Sequence, residues 1–378
     1  MAQADGVDEG YAPPVEPDRE AILEALSNVI DPELRKPVTE LDMVRAIEID
    51  GGRVGVTIAL TVAGCPLRNS FEDQVRQHVG GLPGVESVAL AFDVMTPEER
   101  STLTTKLRGG VEPRGEGLSL DARTRVLAIC SGKGGVGKST LTTNIAAALV
   151  ARGEQVGLLD ADVYGFSIPH MLAATEKPIV IDKMIVPPVK HGLKLMSIGF
   201  FLDENKPIMW RGPMLHRALE QFLKDVHWGE LDTLVVDMPP GTGDVAISLG
   251  QMLPRAEVVV VTTPQPLAQE VAIRAAMMAN TTGMRLIGVV ENMSAMADGL
   301  EVFGSGGGNA LAERLGVPLL GQVPLDPRIR EQGDAGEPLV SADPESESAQ
   351  TIQAIADRVA ALRKIQPGGF VKSLPLVS

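Results

Sequence analysis

The chain has 378 residues, with 34 Lys or Arg against 49 Asp or Glu, for a formal charge of −15. With 44% hydrophobic and 22% charged residues it is a globular chain, long enough for two or three domains of roughly 100 to 200 residues each. The acidity argues against a protein that coats nucleic acid, an affinity that comes from Lys and Arg on phosphates. Having only two cysteines, Cys65 and Cys130, excludes a disulfide framework.

The opening residues lack a basic stretch followed by an apolar one, and no apolar run approaches the ~18 residues of a membrane span. The expectation is a cytoplasmic protein in a reducing compartment, away from membranes. Residues 1–17, acidic and rich in Gly and Pro, read as a disordered tail. From Asp18 the spacing of Ile22, Leu23, Leu26, Val29 and Ile30 predicts a helix ending at Pro32. Met43 to Asp50, Gly51-Gly52 and the alternation of Val54, Val56, Ile58 and Leu60 predict a hairpin. A loop over Thr61–Pro66, a helix over Leu67–Val79 and a strand over Val85–Phe92 complete a small α/β domain, 18–95.

Residues 96–122 are rich in Gly, Ser, Thr and charge, and read as a linker. Strands and helices then alternate, as in right-handed βαβ units on a parallel sheet. The expected strands are Arg125–Cys130, Gln155–Asp160, Leu231–Asp237, Glu257–Thr262 and Arg285–Val290, with a short one near Leu319. Continuous Val, Leu and Ile runs suit strands covered on both faces. This second domain spans 123–365, and 366–378 reads as a loose tail.

The first strand runs into Ser131-Gly132-Lys133-Gly134-Gly135-Val136-Gly137-Lys138-Ser139-Thr140, followed by a helix. This is G-x-x-x-x-G-K-[ST] in the strand–loop–helix context the motif needs, so the fold class is an α/β P-loop NTPase. Glycines let successive N–H groups turn inward as an anion nest, and the helix N-terminus adds its positive end. Lys138 is expected on the β- and γ-phosphates and Ser139 on Mg²⁺. A second apolar strand delivers Asp237, expected to hold a Mg²⁺ water, with Gly241 near the γ-phosphate. Asp160 and Asp162 fall on one side of an extended chain. Asp162 is the candidate to hold or deprotonate the attacking water and Asp160 to lie in the outer Mg²⁺ shell; capping the next helix is the alternative.

The extra Lys133, five positions before Lys138, resembles the deviant Walker A of the MinD, ParA and nitrogenase-reductase class. Within that class, Asp160-Ala-Asp162-Val-Tyr-Gly-Phe-Ser-Ile-Pro169, Arg211-Gly-Pro213-Met, Asp237-Met-Pro-Pro-Gly-Thr-Gly-Asp244, Glu291-Asn292-Met293, Phe303-Gly-Ser-Gly-Gly-Gly308 and Pro324-Leu-Asp-Pro327 resemble the Mrp (ApbC-like) family of iron-sulfur cluster carrier ATPases. Asp31-Pro-Glu33 and Thr61-Val-Ala-Gly-Cys65-Pro66 resemble the metal-sulfur assembly domain often fused to them.

The resemblance implies a homodimer binding ATP and Mg²⁺, with Lys133 reaching the other subunit's phosphates as an arginine finger does. It also implies Asn292 reading adenine, and partners that are assembly scaffolds and apo iron-sulfur acceptor proteins. An exposed loop lysine and a strand-end turn asparagine are the plain alternatives for Lys133 and Asn292. Family members carry a C-x-x-C between Glu-Asn-Met and Phe-Gly-x-Gly-Gly-Gly, whereas here Ser294–Val302 contains no cysteine. A bridging 4Fe-4S cluster takes four thiolates, so the dimer lacks one at that place.

Cys65, before a helix, is either an iron-sulfur ligand with a stabilised thiolate or a small buried residue. Cys130 reads as a packed core cysteine, and no histidine has metal-ligand spacing. The leading expectation is an ATP-hydrolysing iron-sulfur cluster carrier that transfers clusters to apoproteins. The alternatives are a ParA- or MinD-type positioning ATPase and a nucleotide-dependent scaffold that carries no cluster. Against the MinD type, the ending IQPGGFVKSLPLVS is no basic amphipathic helix.

Overall fold

The computed structural model describes residues 17–61, 68–107, 120–121, 123–201, 212–296 and 299–362. Cys65, Arg211, residues 1–16 of the expected N-terminal tail and the whole C-terminal tail lie outside the described residues, while Pro17 is buried. The chain divides into two compact units, Met1–Gly115 with Val180–Met184, and Glu116–Ile179 with Ile185–Ser378.

The first helix, α1 (Arg19–Leu26), buries Ile22, Ala25 and Leu26. It stops short of Pro32 because the chain turns at Ser27-Asn28, and Asp31 Oδ1 then accepts from the N–H groups of Glu33 (2.8 Å) and Leu34 (2.9 Å). This side-chain turn competes directly with helix continuation. Strands β1 (Val44–Asp50) and β2 (Arg53–Leu60) form the expected hairpin, with Asp50 opposite Arg53 and Gly51 at φ +57° in the turn. Helix α2 (Arg68–His78) buries Phe71 and Val75 and leads to β3 (Ser87–Val94), which pairs parallel with β2.

The stretch read as a linker opens instead with a helix, α3 (Pro97–Leu107). Thr96 N–H donates to Glu99 Oε2 at 2.7 Å, and Glu99 N–H donates back to Thr96 Oγ1 at 3.2 Å. With Pro97 at the first helical position, this is a complete capping box. Thr96-Pro97-Glu98-Glu99 is a local helix-start signal set in a stretch of otherwise polar composition. Of the remainder of the linker, 108–119 lie outside the described residues.

The chain continues through β4 (Arg125–Ser131), α4 (Lys138–Ala151), β5 (Val156–Asp160), α5 (Ile168–Met171), β6 (Ile179–Ile181), β7 (Met184–Val186), β8 (Val189–Lys190) and β9 (Leu193–Ser197). A 3-10 turn over Ile198–Phe201 precedes α6 (Gly212–Lys224), β10 (Thr233–Asp237), α7 (Asp244–Met252), β11 (Glu257–Thr262), α8 (Pro266–Thr281) and β12 (Arg285–Ser294). Last come α9 (Gly307–Leu315), β13 (Leu319–Pro324), α10 (Pro327–Ala335), α11 (Leu339–Ala342) and α12 (Glu347–Leu362).

The large sheet has the order β13-β12-β11-β4-β10-β5-β9-β8, parallel throughout except where β8 runs against β9. Every residue of β5 and β10 is buried, as strands covered on both faces require. Strand β4 lies between β10 and β11, whereas β5, the strand that follows it in sequence, lies beyond β10. The carboxyl ends of β4, β10 and β5 therefore meet where the strand order departs from the chain order, the usual ligand crevice of open α/β sheets. Strand β12 runs four residues past the expected Val290, which brings Glu291 and Asn292 into the sheet.

Candidate nucleotide site

The loop between β4 and α4 is built around two left-handed glycines. Gly135 has φ +76°, and Gly137, which caps α4, has φ +78°. A Cβ on Gly137 would also come within 2.2 Å of Asn292 Nδ2, so both backbone and space demand glycine there. Asn292 Nδ2 donates to Val136 O at 2.9 Å, tying the end of β12 to the loop. Ser131 Oγ donates to Lys133 O at 3.0 Å, and Gly241 N–H donates to Ser131 O at 2.8 Å. Gly241 therefore lies against the loop, with its N–H engaged by protein. Thr140, in the first turn of α4, accepts from Asn144 Nδ2 at 2.9 Å.

Register explains the acidic cluster. Asp237 on β10 lies opposite Asp160 on β5, at the carboxyl ends of adjacent strands. Lys138 Nζ reaches Asp237 Oδ2 at 2.7 Å and Asp162 Oδ2 at 3.5 Å, with only 6% of its side chain exposed. Ser139 Oγ donates to Asp237 Oδ2 at 2.6 Å, and Thr142 Oγ1 lies 2.8 Å from Asp237 Oδ1. Asp160 and Asp162 do not share one extended segment, because β5 ends at Asp160 and the chain turns. Asp160 accepts from Ser197 Oγ (3.1 Å), Asp162 N–H (3.3 Å) and Ile168 N–H (3.4 Å), which makes it the brace of that turn. Asp162 Oδ1 accepts from Gly165 N–H at 3.2 Å, and its other oxygen faces Lys138.

One lysine thus pairs with two of three buried carboxylates, Asp237 and Asp162, while Asp160 is held by Ser197 and backbone N–H groups. Burial, reinforced by Asp237, pushes the Asp160 carboxyl up to about 8. Burial also raises that of Asp162, against the pull of Lys138. Of these groups, Asp237 Oδ2 and Ser139 Oγ, 2.6 Å apart, are hard oxygen donors of the kind a small divalent cation takes when it arrives with phosphates and water to complete its shell. Ser139 and Asp237 are the residues that would hold Mg²⁺, which would supply charge neutralisation at the phosphate oxygens.

Lys133 is half-buried, and its Nζ donates to Gln265 Oε1 at 3.2 Å. Gln265, Thr142 and Ser197 escaped the sequence reading. Thr142 could have been found, since it lies one helical turn past Ser139 and presents a second hydroxyl on the same face. Gln265 and Ser197 carry no local signal. Glu291 is fully buried, accepting from Gln322 Nε2 at 2.8 Å and from Gly308 N–H, which anchors the glycine-rich start of α9.

Cys130 is buried at the end of β4, and desolvation pushes its thiol up to about 12, as expected of a core cysteine. Among the described residues, no group of three or more His, Cys, Asp or Glu is arranged to hold a metal ion. In the stretch without the cysteine pair, Gly299 N–H returns to Met296 O at 2.8 Å, and Leu300 and Val302 are exposed. Among the described residues, no helix is long and apolar enough to cross a membrane.

Comparison with known proteins adds two domain matches. Residues 122–360 match the family described as NUBPL iron-transfer P-loop NTPase, and residues 19–90 match the family described as iron-sulfur cluster assembly protein. The iron-sulfur cluster carrier protein of Mycobacterium tuberculosis is 51% identical over 356 residues, covering 91% of this chain and 93% of that one. The protein of the same description from Synechocystis is 42% identical over 352 residues, covering 90% and 96%. Among solved structures, a nucleotide-binding protein from Archaeoglobus fulgidus in complex with ADP is 36% identical. It covers 56% of this chain and 86% of its own, with a TM-score of 0.50.

Proposed function

Because the chain belongs to the iron-sulfur cluster carrier family of P-loop NTPases, we propose that it binds and hydrolyses Mg-ATP to control loading and release of an iron-sulfur cluster passed to apoproteins. The observation that carries the ATPase half is the single lysine, Lys138, set among Asp237, Asp162 and Ser139 at the head of α4. On ATP binding, Lys138 exchanges these carboxylates for the β- and γ-phosphates, and Gly132 to Thr140 cradle the phosphates. Ser139 and Asp237 take the cation, with Asp160 behind them.

Asp162 holds the attacking water and accepts its proton. The water oxygen bonds to the γ-phosphorus as the bond to the bridging oxygen breaks, and ADP leaves with that electron pair. Asn292, two residues before the end of β12 and tied to the loop through Val136 O, is the residue we assign to the adenine. The working state is a homodimer in the cytoplasm, where Lys133 of one copy offsets charge on the phosphates of the other. The cycle moves cargo only if cluster affinity differs between the two nucleotide states.

Cys65 of the N-terminal domain is the thiol we assign to the cargo, because burial keeps Cys130 protonated. Anaerobic reconstitution with iron and sulfide, followed by visible absorption and transfer to an apo-acceptor, tests this half. Bound iron that is lost in Cys65→Ala supports the assignment. Wild-type protein that binds no iron in any nucleotide state overturns cluster carriage.

A further inference from the structure

Lys133 does not stand free at the mouth of the loop. Its partner Gln265 is the residue immediately before α8, in extended conformation, and its carbonyl accepts the Ala268 N–H at 3.0 Å. The turn that presents Gln265 is held from two sides. Gln269 Nε2 donates to Pro264 O at 3.1 Å, and the backbone of Gly307 lies so close that a Cβ there would come within 2.3 Å of the same oxygen. The same helix also braces the start of the loop, since a Cβ on Gly132 would come within 2.2 Å of the Val271 backbone. Helix α8 therefore constrains Lys133 twice, through the backbone of the preceding residue and through its own ammonium group.

An ammonium group on a long flexible stem ordinarily samples many directions, and a fixed acceptor withdraws it from other partners. A lysine held by an acceptor in its own chain has less freedom to reach the phosphates of a second copy. We propose that Gln265 is a positioning residue that retains Lys133 in cis in the single nucleotide-free chain and releases it as two chains close on ATP. This rests on the trans role given to Lys133 above. It also explains why the acceptor is a neutral amide. The bond to the amide is already charge-assisted, and a carboxylate at this place would add a full charge–charge attraction that holds the lysine more firmly.

The test uses the full chain and a non-hydrolysable ATP analogue, with the monomer–dimer midpoint read by sedimentation and steady-state hydrolysis measured in parallel. Gln265→Ala should tighten dimerisation about three- to tenfold, the equivalent of one hydrogen bond. It should lower the ATP concentration for half-maximal hydrolysis more than it changes kcat. Gln265→Glu should weaken dimerisation, with added salt reversing part of the loss. In a Lys133→Ala background, Gln265→Ala should leave the midpoint where it was. An equal effect of Gln265→Ala with and without Lys133, or no effect in the wild type when Lys133→Ala alone impairs dimerisation, overturns the proposal. If Lys133→Ala leaves both dimerisation and hydrolysis intact, the trans reading itself falls, and this inference falls with it.

Discussion

The acidic groups of the two compact units are buried in different company. In the nucleotide unit, Asp237 and Asp162 converge on the ammonium of Lys138, and Ser139 and Thr142 add hydroxyls. In the N-terminal unit, Asp31 is held by the backbone N–H groups of Glu33 and Leu34, yet burial still leaves its carboxyl raised. Beside it, burial and then the charge of Asp31 push Glu33 up to about 7. Burial raises a carboxyl in both units, Asp160 to about 8 and Glu33 to about 7, and the difference lies in the cation: Lys138 pairs with two carboxylates of the first cluster. There the carboxylates hold an ammonium that an incoming anion can draw away from them. In the other, a carboxyl is left close to neutrality and able to gain or lose a proton near physiological pH.

Three substitutions probe that contrast, from the largest effect to the smallest. Lys138→Ala removes the cation of the first cluster and the phosphate anchor together. Phosphate release should fall by about 10²- to 10³-fold or more, and full retention of hydrolysis would break the assignment of the loop. Gly137→Ala puts a side chain where φ is +78° and Asn292 Nδ2 is 2.2 Å away. The expected loss is about 1–3 kcal/mol in a calorimetric melt. Gly134→Ala, with open space around it and no left-handed backbone, should change stability by less than about 0.5 kcal/mol. Equal losses at the two glycines would show that the loop geometry is not what discriminates them.

Glu33 supplies the test of the second cluster. Its folded-state pKa of about 7 lies above the ordinary 4.5, so the folded chain binds more protons than the unfolded one between those values. Stability is then greatest below about 4.5 and is lost as pH rises towards 7. Allowing for screening at a partly exposed site, the loss is about 1–2 kcal/mol. Urea titrations of Glu33→Gln should show this slope removed and the variant more stable than the parent at neutral pH. The same slope in both proteins would remove Glu33 from the account.

How much of this was legible in the residues depends on range. The Gly51-Gly52 hairpin, the strand–loop–helix around Lys138 and the two strands ending in Asp160 and Asp237 are local patterns, and all appear in the fold. Helix α3 was equally local, written in Thr96-Pro97-Glu98-Glu99, but was hidden by a composition that suggested a linker. The edge strand β8, only Val189–Lys190, carries too few residues for periodicity to distinguish it from loop.

The chemistry of the nucleotide loop was determined by the sequence alone, because its glycines, lysine and serine are consecutive and the conformation they need is set by their own φ/ψ preferences. The pairing of Asp237 with Asp160, the reach of Lys138 to two of the three carboxylates and the hold of Gln265 on Lys133 were decided only by tertiary structure. Those groups come from β5, β10, α4 and the start of α8, and only the order and register of a parallel sheet bring their ends to one place. A linear pattern can name each carboxylate, but the strand order decides which of them share a cation.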